Sequence, residues 1–252
     1  MGNIFTVIFY QPVLNLLVFL YNTISFHDFG VAIILLTVVI KLVFWPLGRS
    51  AIKSQKALQE IQPQLEALKK QYKNDKVGLS KATMELYKNN KVNPFSSCLP
   101  LLIQLPFLFA VYQVFRDGAR NKLGFIYPFI QRPESLNIIS FGFLNLAKPS
   151  IVLAILAGLA QFWQAKMMIT TKPSVKTPGS KDESMAAIMN KQMLYLMPAI
   201  TVFIGISLPA GLTLYWLVLT LLTAIQQLVT FNKKDKSKIN HNKPTIEGQV
   251  IE

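Results

Sequence analysis

The sequence predicts an all-α, polytopic membrane protein. Three observations carry that expectation. Of its 252 residues 52% are hydrophobic and only 15% charged, whereas soluble domains carry about 25% charged residues. Several uncharged apolar runs approach the roughly 20 residues that a helix needs to cross a bilayer. These runs lack the two-residue alternation of a barrel strand, and helices are the other way to satisfy the backbone in lipid.

In chain order, residues 1–30 contain no Lys or Arg, so the basic region of a secretory signal is missing. Val13–Leu20 is apolar but short, behind Pro12 and interrupted by Asn15. It spans the bilayer or lies in the interface as an amphipathic helix, and its length favours the interface, which makes 1–30 an outer-side segment. The core, 31–231, is expected to hold five spans, at about 31–47, 95–115, 151–168, 193–208 and 212–231. Between the first two, residues 49–92 are charged and helical in pattern. Leu58, Ile61, Leu65, Leu68 and Tyr72 recur at gaps of three and four, a coiled-coil-like seam. Asn74–Gly78 reads as a turn before a second helix at Leu79–Asn90, and Pro63 is expected to kink the first. This makes a helical hairpin outside the membrane. Residues 116–149 and 169–192 read as loops, Pro209-Ala210-Gly211 as a tight turn, and 232–252 as a basic, disordered tail.

The charge pattern predicts orientation. Of the 26 Lys and Arg, ten lie in the hairpin segment from Arg49 to Lys91. Five more lie from Lys166 to Lys191 and five after Asn232, against five (Arg116, Arg120, Lys122, Arg132, Lys148) on the other side. That fourfold bias places hairpin, third loop and tail in the cytoplasm. It also accounts for the net charge of +14 without a nucleic-acid domain. Cys98 is the only cysteine, His27 and His241 are far apart, and no phosphate loop, metal motif or nucleophile–base pair is present. Neither an enzyme nor a cofactor is expected.

The remaining basic residue, Lys41, lies inside the first span. A charge at mid-membrane costs roughly 2.5–3.5 kcal/mol on insertion scales. It either snorkels to the edge eight residues before Arg49 or faces a wet cavity. Polar residues on other spans favour the cavity. Thr213, Trp216, Thr220, Thr223 and Gln227 share one helical face with Tyr215 at its flank. Gln161 and Gln164, Gln104 and Tyr112, and Thr37 before Lys41 add to it. For each, the alternative is polar glue between helices.

Two stretches resemble signatures of the YidC/Oxa membrane insertase family: Lys91-Val92-Asn93-Pro94-Phe95-Ser96-Ser97-Cys98-Leu99-Pro100-Leu101-Leu102-Ile103-Gln104-Leu105-Pro106-Phe107 and Leu208-Pro209-Ala210-Gly211-Leu212-Thr213-Leu214-Tyr215-Trp216. The hairpin from Gln62-Pro63 to Leu86-Tyr87-Lys88 and the pair Gln226-Gln227 are similar too, and the resemblance extends from Gln11 to Phe231. It implies a membrane insertase and chaperone of the bacterial plasma membrane, in the short form without a large outer domain. It further implies five spans, a cytoplasmic hairpin and a hydrophilic groove closed on the outer side. A basic residue in the first span, matched by Lys41 where the family typically has Arg, draws in acidic parts of a client. Thr37, Tyr215 and Trp216 match groove and client-contact positions, and Gln161 and Gln164 fall near a polar groove position. Gln104, Thr220 and Thr223 complete the candidate client-binding groove. The implied partners are nascent membrane proteins and lipids, with the ribosome (through hairpin and tail) and the secretory channel as candidates. A small-molecule or ion transporter using the same cavity is the rival reading, although no internal repeat and no acidic residue in a span speaks for it.

Overall fold

The computed structural model describes residues 2–93, 99–119, 124–169 and 191–232. Helices dominate the described residues. A turn at Gly2–Phe5 and a π-helical turn at Thr6–Tyr10 lead without a break into α1 (Gln11–Thr23). The π turn has a local cause. Pro12 lacks the N–H that an α-helix would use, and the wider turn just before it absorbs the missing bond, with Gln11 N bonded to Thr6 O. The device recurs at Gln192–Leu196, just before Pro198, where Met197 N bonds to Gln192 O. The first helix is longer than the expected Val13–Leu20, because Thr6–Thr23 is continuous and long and apolar enough to cross a membrane.

Helix α2 (Phe29–Val43) ends at Phe44, not at Leu47 as the apolar run suggests. Pro46 in the first turn of α3 (Trp45–Glu60) cannot continue the bonding, and the two helices meet at 70°. The expected kink at Pro63 is a full break at Ile61, after which α4 (Gln62–Gln71) starts with Pro63 in its first turn. Asp75 caps α5 (Lys76–Asn89), accepting from Gly78 N at 2.8 Å. Helices α4 and α5 fold back on each other. Helix α6 (Leu99–Ala119) carries Pro106 inside it; the beginning of its expected span, with Cys98, lies outside the described residues. So do the loop over residues 170–190 and the tail beyond Asn232.

Residues 124–149, within the expected loop, include paired strands. Strands β1 (Ile139–Ser140) and β2 (Leu144–Asn145) pair antiparallel, Ile139 opposite Asn145 and Ser140 opposite Leu144. Helix α7 (Ile151–Met168) follows, then α8 (Met197–Gly205) and α9 (Ala210–Asn232). Helix α7 packs on α8 and α9, α9 on α2, and α2 on α1, which also contacts α6. Leu14, Leu17, Val18, Phe29, Ile33, Leu36, Val114 and Tyr215 are buried where α1, α2, α6 and α9 converge.

Among the described residues three helices, Thr6–Thr23, Ile151–Met168 and Ala210–Phe231, are long and apolar enough to cross a membrane, and the bent pair α2–α3 makes a fourth if taken as one span. Ile151, Val152, Ile155, Leu159 and Trp163 are exposed along α7; with its length, that outer surface suits lipid. The architecture is that of an all-α membrane protein.

Asp28 fastens one end of this bundle. Its Oδ1 accepts from Gly30 N (2.8 Å), Val31 N (3.1 Å) and the Ser140 hydroxyl, and its Oδ2 from Phe141 N (2.7 Å). It thereby caps α2 and holds the β1–β2 turn. Burial pushes the carboxyl upward, but these hydrogen bonds together outweigh it and hold the group below the usual carboxylate range. Its contribution to stability is thus fully present above the unfolded value near 3.9 and is lost as pH falls through the lower folded value. Asp28→Ala is expected to cost about 0.5–2 kcal/mol, as other lost caps do. Thermal unfolding of purified protein in detergent checks this. The gap between wild type and variant should narrow only in strongly acidic buffer, and a gap that widens on acidification would contradict the assignment.

Candidate functional site

Lys41 lies in the last turn of α2, just ahead of the bend, and is half-buried. Its Nζ donates to Thr223 Oγ1 on α9 at 2.8 Å, and that hydroxyl donates onward to Leu219 O at 2.7 Å. Among the described residues no carboxylate pairs with Lys41. The ammonium has three donor hydrogens, and the hydroxyl engages one. Thr37, one turn earlier, is buried and its hydroxyl donates to Ile33 O at 2.7 Å.

On α9 the expected polar face points inward. Thr213, Thr220 and Gln227 are buried, with Trp216 and Thr223 half-buried at its margin. Tyr215 is buried as well, and Gln104 from α6 donates its amide to the Tyr215 hydroxyl. Two candidates from separate helices are thereby joined to α9: Lys41 at Thr223 and Gln104 at Tyr215. Gln161 is drawn elsewhere. Thr201 on α8 donates to its Oε1, so this pair links α7 to α8 as polar glue. Gln164 is half-buried on α7. The structure brings Lys41, Gln104, Tyr215 and Thr223 together through α9, and places Gln161 at the α7–α8 contact.

Two polar residues of this region had no role from the sequence. Thr201 is the partner of Gln161. Gln226, known there only through the Gln226-Gln227 resemblance, is fully buried and its Nε2 donates to Trp45 O at 2.7 Å, directly at the bend between α2 and α3. Gly48 makes room for it: a Cβ there would stand 2.8 Å from Gln226 Oε1. The isolated glycine in an otherwise helical segment was the available signal.

The family model described as 60Kd inner membrane protein matches residues 19–238. The chain belongs to the 60Kd inner membrane protein family. Its relatives carry the name membrane protein insertase YidC. One from Fusobacterium nucleatum is 37% identical over 228 residues, covering 89% of this chain and 97% of its own length. One from Syntrophus aciditrophicus is 38% identical over 217 residues, 86% of this chain and 35% of that protein. One from Pelobacter propionicus is 37% identical over 229 residues, 89% of this chain and 38% of that protein. The chain spans little more than a third of the two longer relatives. Within the 60Kd inner membrane protein family, then, it compares in length with the Fusobacterium protein.

Proposed function

We propose that this chain is a membrane protein insertase and chaperone of the bacterial inner membrane. Lys41 carries the reading: a half-buried cation near the end of an apolar helix, held by a neutral hydroxyl, with no carboxylate partner among the described residues. A structural lysine would be expected to find a counter-charge, because an unpaired charge away from water is costly. A lysine that receives passing acidic groups keeps its attraction available. The client-binding groove would comprise Lys41, Thr37, Gln104, Gln164, Tyr215, Trp216, Thr220 and Thr223, with Gln161 supporting its wall.

The mechanism follows from solvation. A polar segment cannot cross about 30 Å of hydrocarbon unaided. A polar groove reaching part-way shortens that path, and Lys41 offsets the cost of bringing an acidic residue into it. The client's apolar helix then moves into lipid, gaining about 25 cal/mol per Å² withdrawn from water. The nascent membrane protein is the substrate, and lipid receives it. The basic hairpin and tail are suited to the ribosome, and the secretory channel is a further candidate partner. Reconstitution into liposomes with a short single-span client tests the proposal. Insertion dependent on this chain supports it. Solute or ion flux without insertion would favour a transporter and overturn it.

The proposed topology has five spans (the bent α2–α3 region, α6, α7, the helix Gln192–Gly205 and α9), and the N-terminal helix Thr6–Thr23, itself long and apolar enough to cross, either adds a further span or lies in the outer interface. Hairpin and C-terminus are cytoplasmic, as the charge bias suggests. In a Cys98→Ala background, Lys70→Cys should resist an impermeant thiol reagent in intact cells and react after lysis. Asn137→Cys, on an exposed residue, should react in both. Labelling at Lys70→Cys before lysis would reverse the orientation.

A further inference from the structure

Two turns display large aromatic side chains at the end of α2 away from the α4–α5 hairpin. Phe26, between α1 and α2, is 95% exposed; Phe143 and Phe141, around the β1–β2 turn, are 82% and 47% exposed. Neither turn has an easy backbone. Phe26, His27 and Phe141 have positive φ (54°, 61° and 56°), as does Gly142 (79°). Bulky residues avoid this left-handed region unless the surrounding structure imposes it.

One carboxylate ties the two turns together. Asp28 follows Phe26 and His27 directly and accepts from the Ser140 hydroxyl and from Phe141 N. Tyr21 adds a second tie: its ring meets His27 edge-on, and its hydroxyl accepts from Asn137 N at 3.0 Å. These contacts join the two turns.

We propose that Phe26, Phe141 and Phe143 form an aromatic anchor that inserts into the lipid leaflet at this end of the bundle. Lipid is the occupant for three reasons. Apolar side chains are exposed next to these turns in the chain as well: Ile24 before Phe26, and Ile151 and Val152 at the start of a helix long and apolar enough to cross a membrane. Residues 19–27 and 136–147 contain no Asp, Glu, Lys or Arg, the adjoining Asp28 is engaged by Gly30, Val31, Ser140 and Phe141, and the exposed Lys148 is the next charge after the second turn, so the rings themselves offer a charged partner no complement. Phe side chains are among those that interfacial segments bury at the headgroup–acyl boundary. Since α2 has 15 residues, this end of it lies about 22 Å along its axis from the bend that leads to the hairpin. The inference needs membrane residence alone and stands apart from the insertase reading.

The test uses the full chain in a Cys98→Ala background, with Phe26→Cys, Phe143→Cys or Asn137→Cys labelled one at a time with an NBD fluorophore. Each protein is reconstituted into phosphatidylcholine vesicles with or without lipids bearing a nitroxide at the shallow end of the acyl chain. At positions 26 and 143 the nitroxide should quench at least about twofold more strongly than at the exposed, polar position 137, as a group in the interface requires. Quenching equal to that at position 137 overturns the proposal. Shielding from aqueous iodide without nitroxide quenching also overturns it, and points to a protein surface as the occupant. Client insertion is not part of the readout, so a failed anchor and a failed insertase reading remain distinct.

Discussion

Lys41→Ala is expected to slow insertion of a client with an acidic translocated segment by on the order of tenfold and to spare a matched neutral client. Tenfold corresponds to about 1.4 kcal/mol, a modest attraction between opposite charges where water is scarce. Lys41→Glu should be worst, because like charges then face each other. Lys41→Arg should do at least as well as the natural lysine, since arginine keeps its charge at any working pH and offers a planar fork to carboxylates. Thr223→Val separates position from charge. It removes the hydroxyl that receives Lys41 Nζ and should weaken the acidic client's advantage without abolishing it. The measurement is an insertion assay normalised to insertase abundance. If Lys41→Ala affects both clients in step with its own abundance, the lysine serves stability, and the electrostatic role is wrong.

The largest stability loss is expected at Gly158. A Cβ there would collide with Val202 Cγ2 on α8 and stand 3.2 Å from the Pro198 carbonyl. Backbone cannot rotate aside as a side-chain tip can. Gly205 faces the same contact, its added Cβ falling 2.9 Å from Ala154 Cβ. Small residues let these helices approach closely, the usual means of helix association in lipid. Gly158→Leu should therefore cost about 2–3 kcal/mol, or roughly 5–10 °C in Tm for a chain of this size. Gly124→Leu, where an added Cβ meets nothing within 4 Å, should be nearly neutral. Equal losses for the two variants in thermal unfolding would show that α7–α8 packing is not what holds the bundle.

What could be read from the sequence follows the range of the interactions involved. Apolar runs and the gaps of three and four in 58–72 are local, and the helices they predict are present, with ends displaced by prolines. The α2 break was masked because Leu47 extends the apolar run past Pro46. Lys41 stands out as a charge among apolar residues, and the polar face of α9 was legible by period. Their meeting at Thr223, 182 positions away, was not. Gln161 is the clearest case of an ambiguous signal. One polar residue in a span fits a groove or a helix contact equally, and only the position of Thr201 separates them. The β1–β2 hairpin left almost no trace. Its strands have two residues each, and its turn is held by Asp28, 112 positions from Ser140.

The bend between α2 and α3 also has mechanical leverage. Helix α3 has 16 residues, an arm of about 24 Å. A rotation of about 10° at Phe44 would sweep its far end through roughly 4 Å, about three-quarters of a turn of helix. Helix α9 braces this arm at two places: the Gln226 amide on the Trp45 carbonyl, seated against Gly48, and the Phe231 ring under Lys56 Nζ farther along α3. Since Gln226 shares α9 with Thr223, the helix that receives Lys41 is also the one that braces the arm. A shift of α9 would therefore carry α3, and the start of the hairpin with it, as one body.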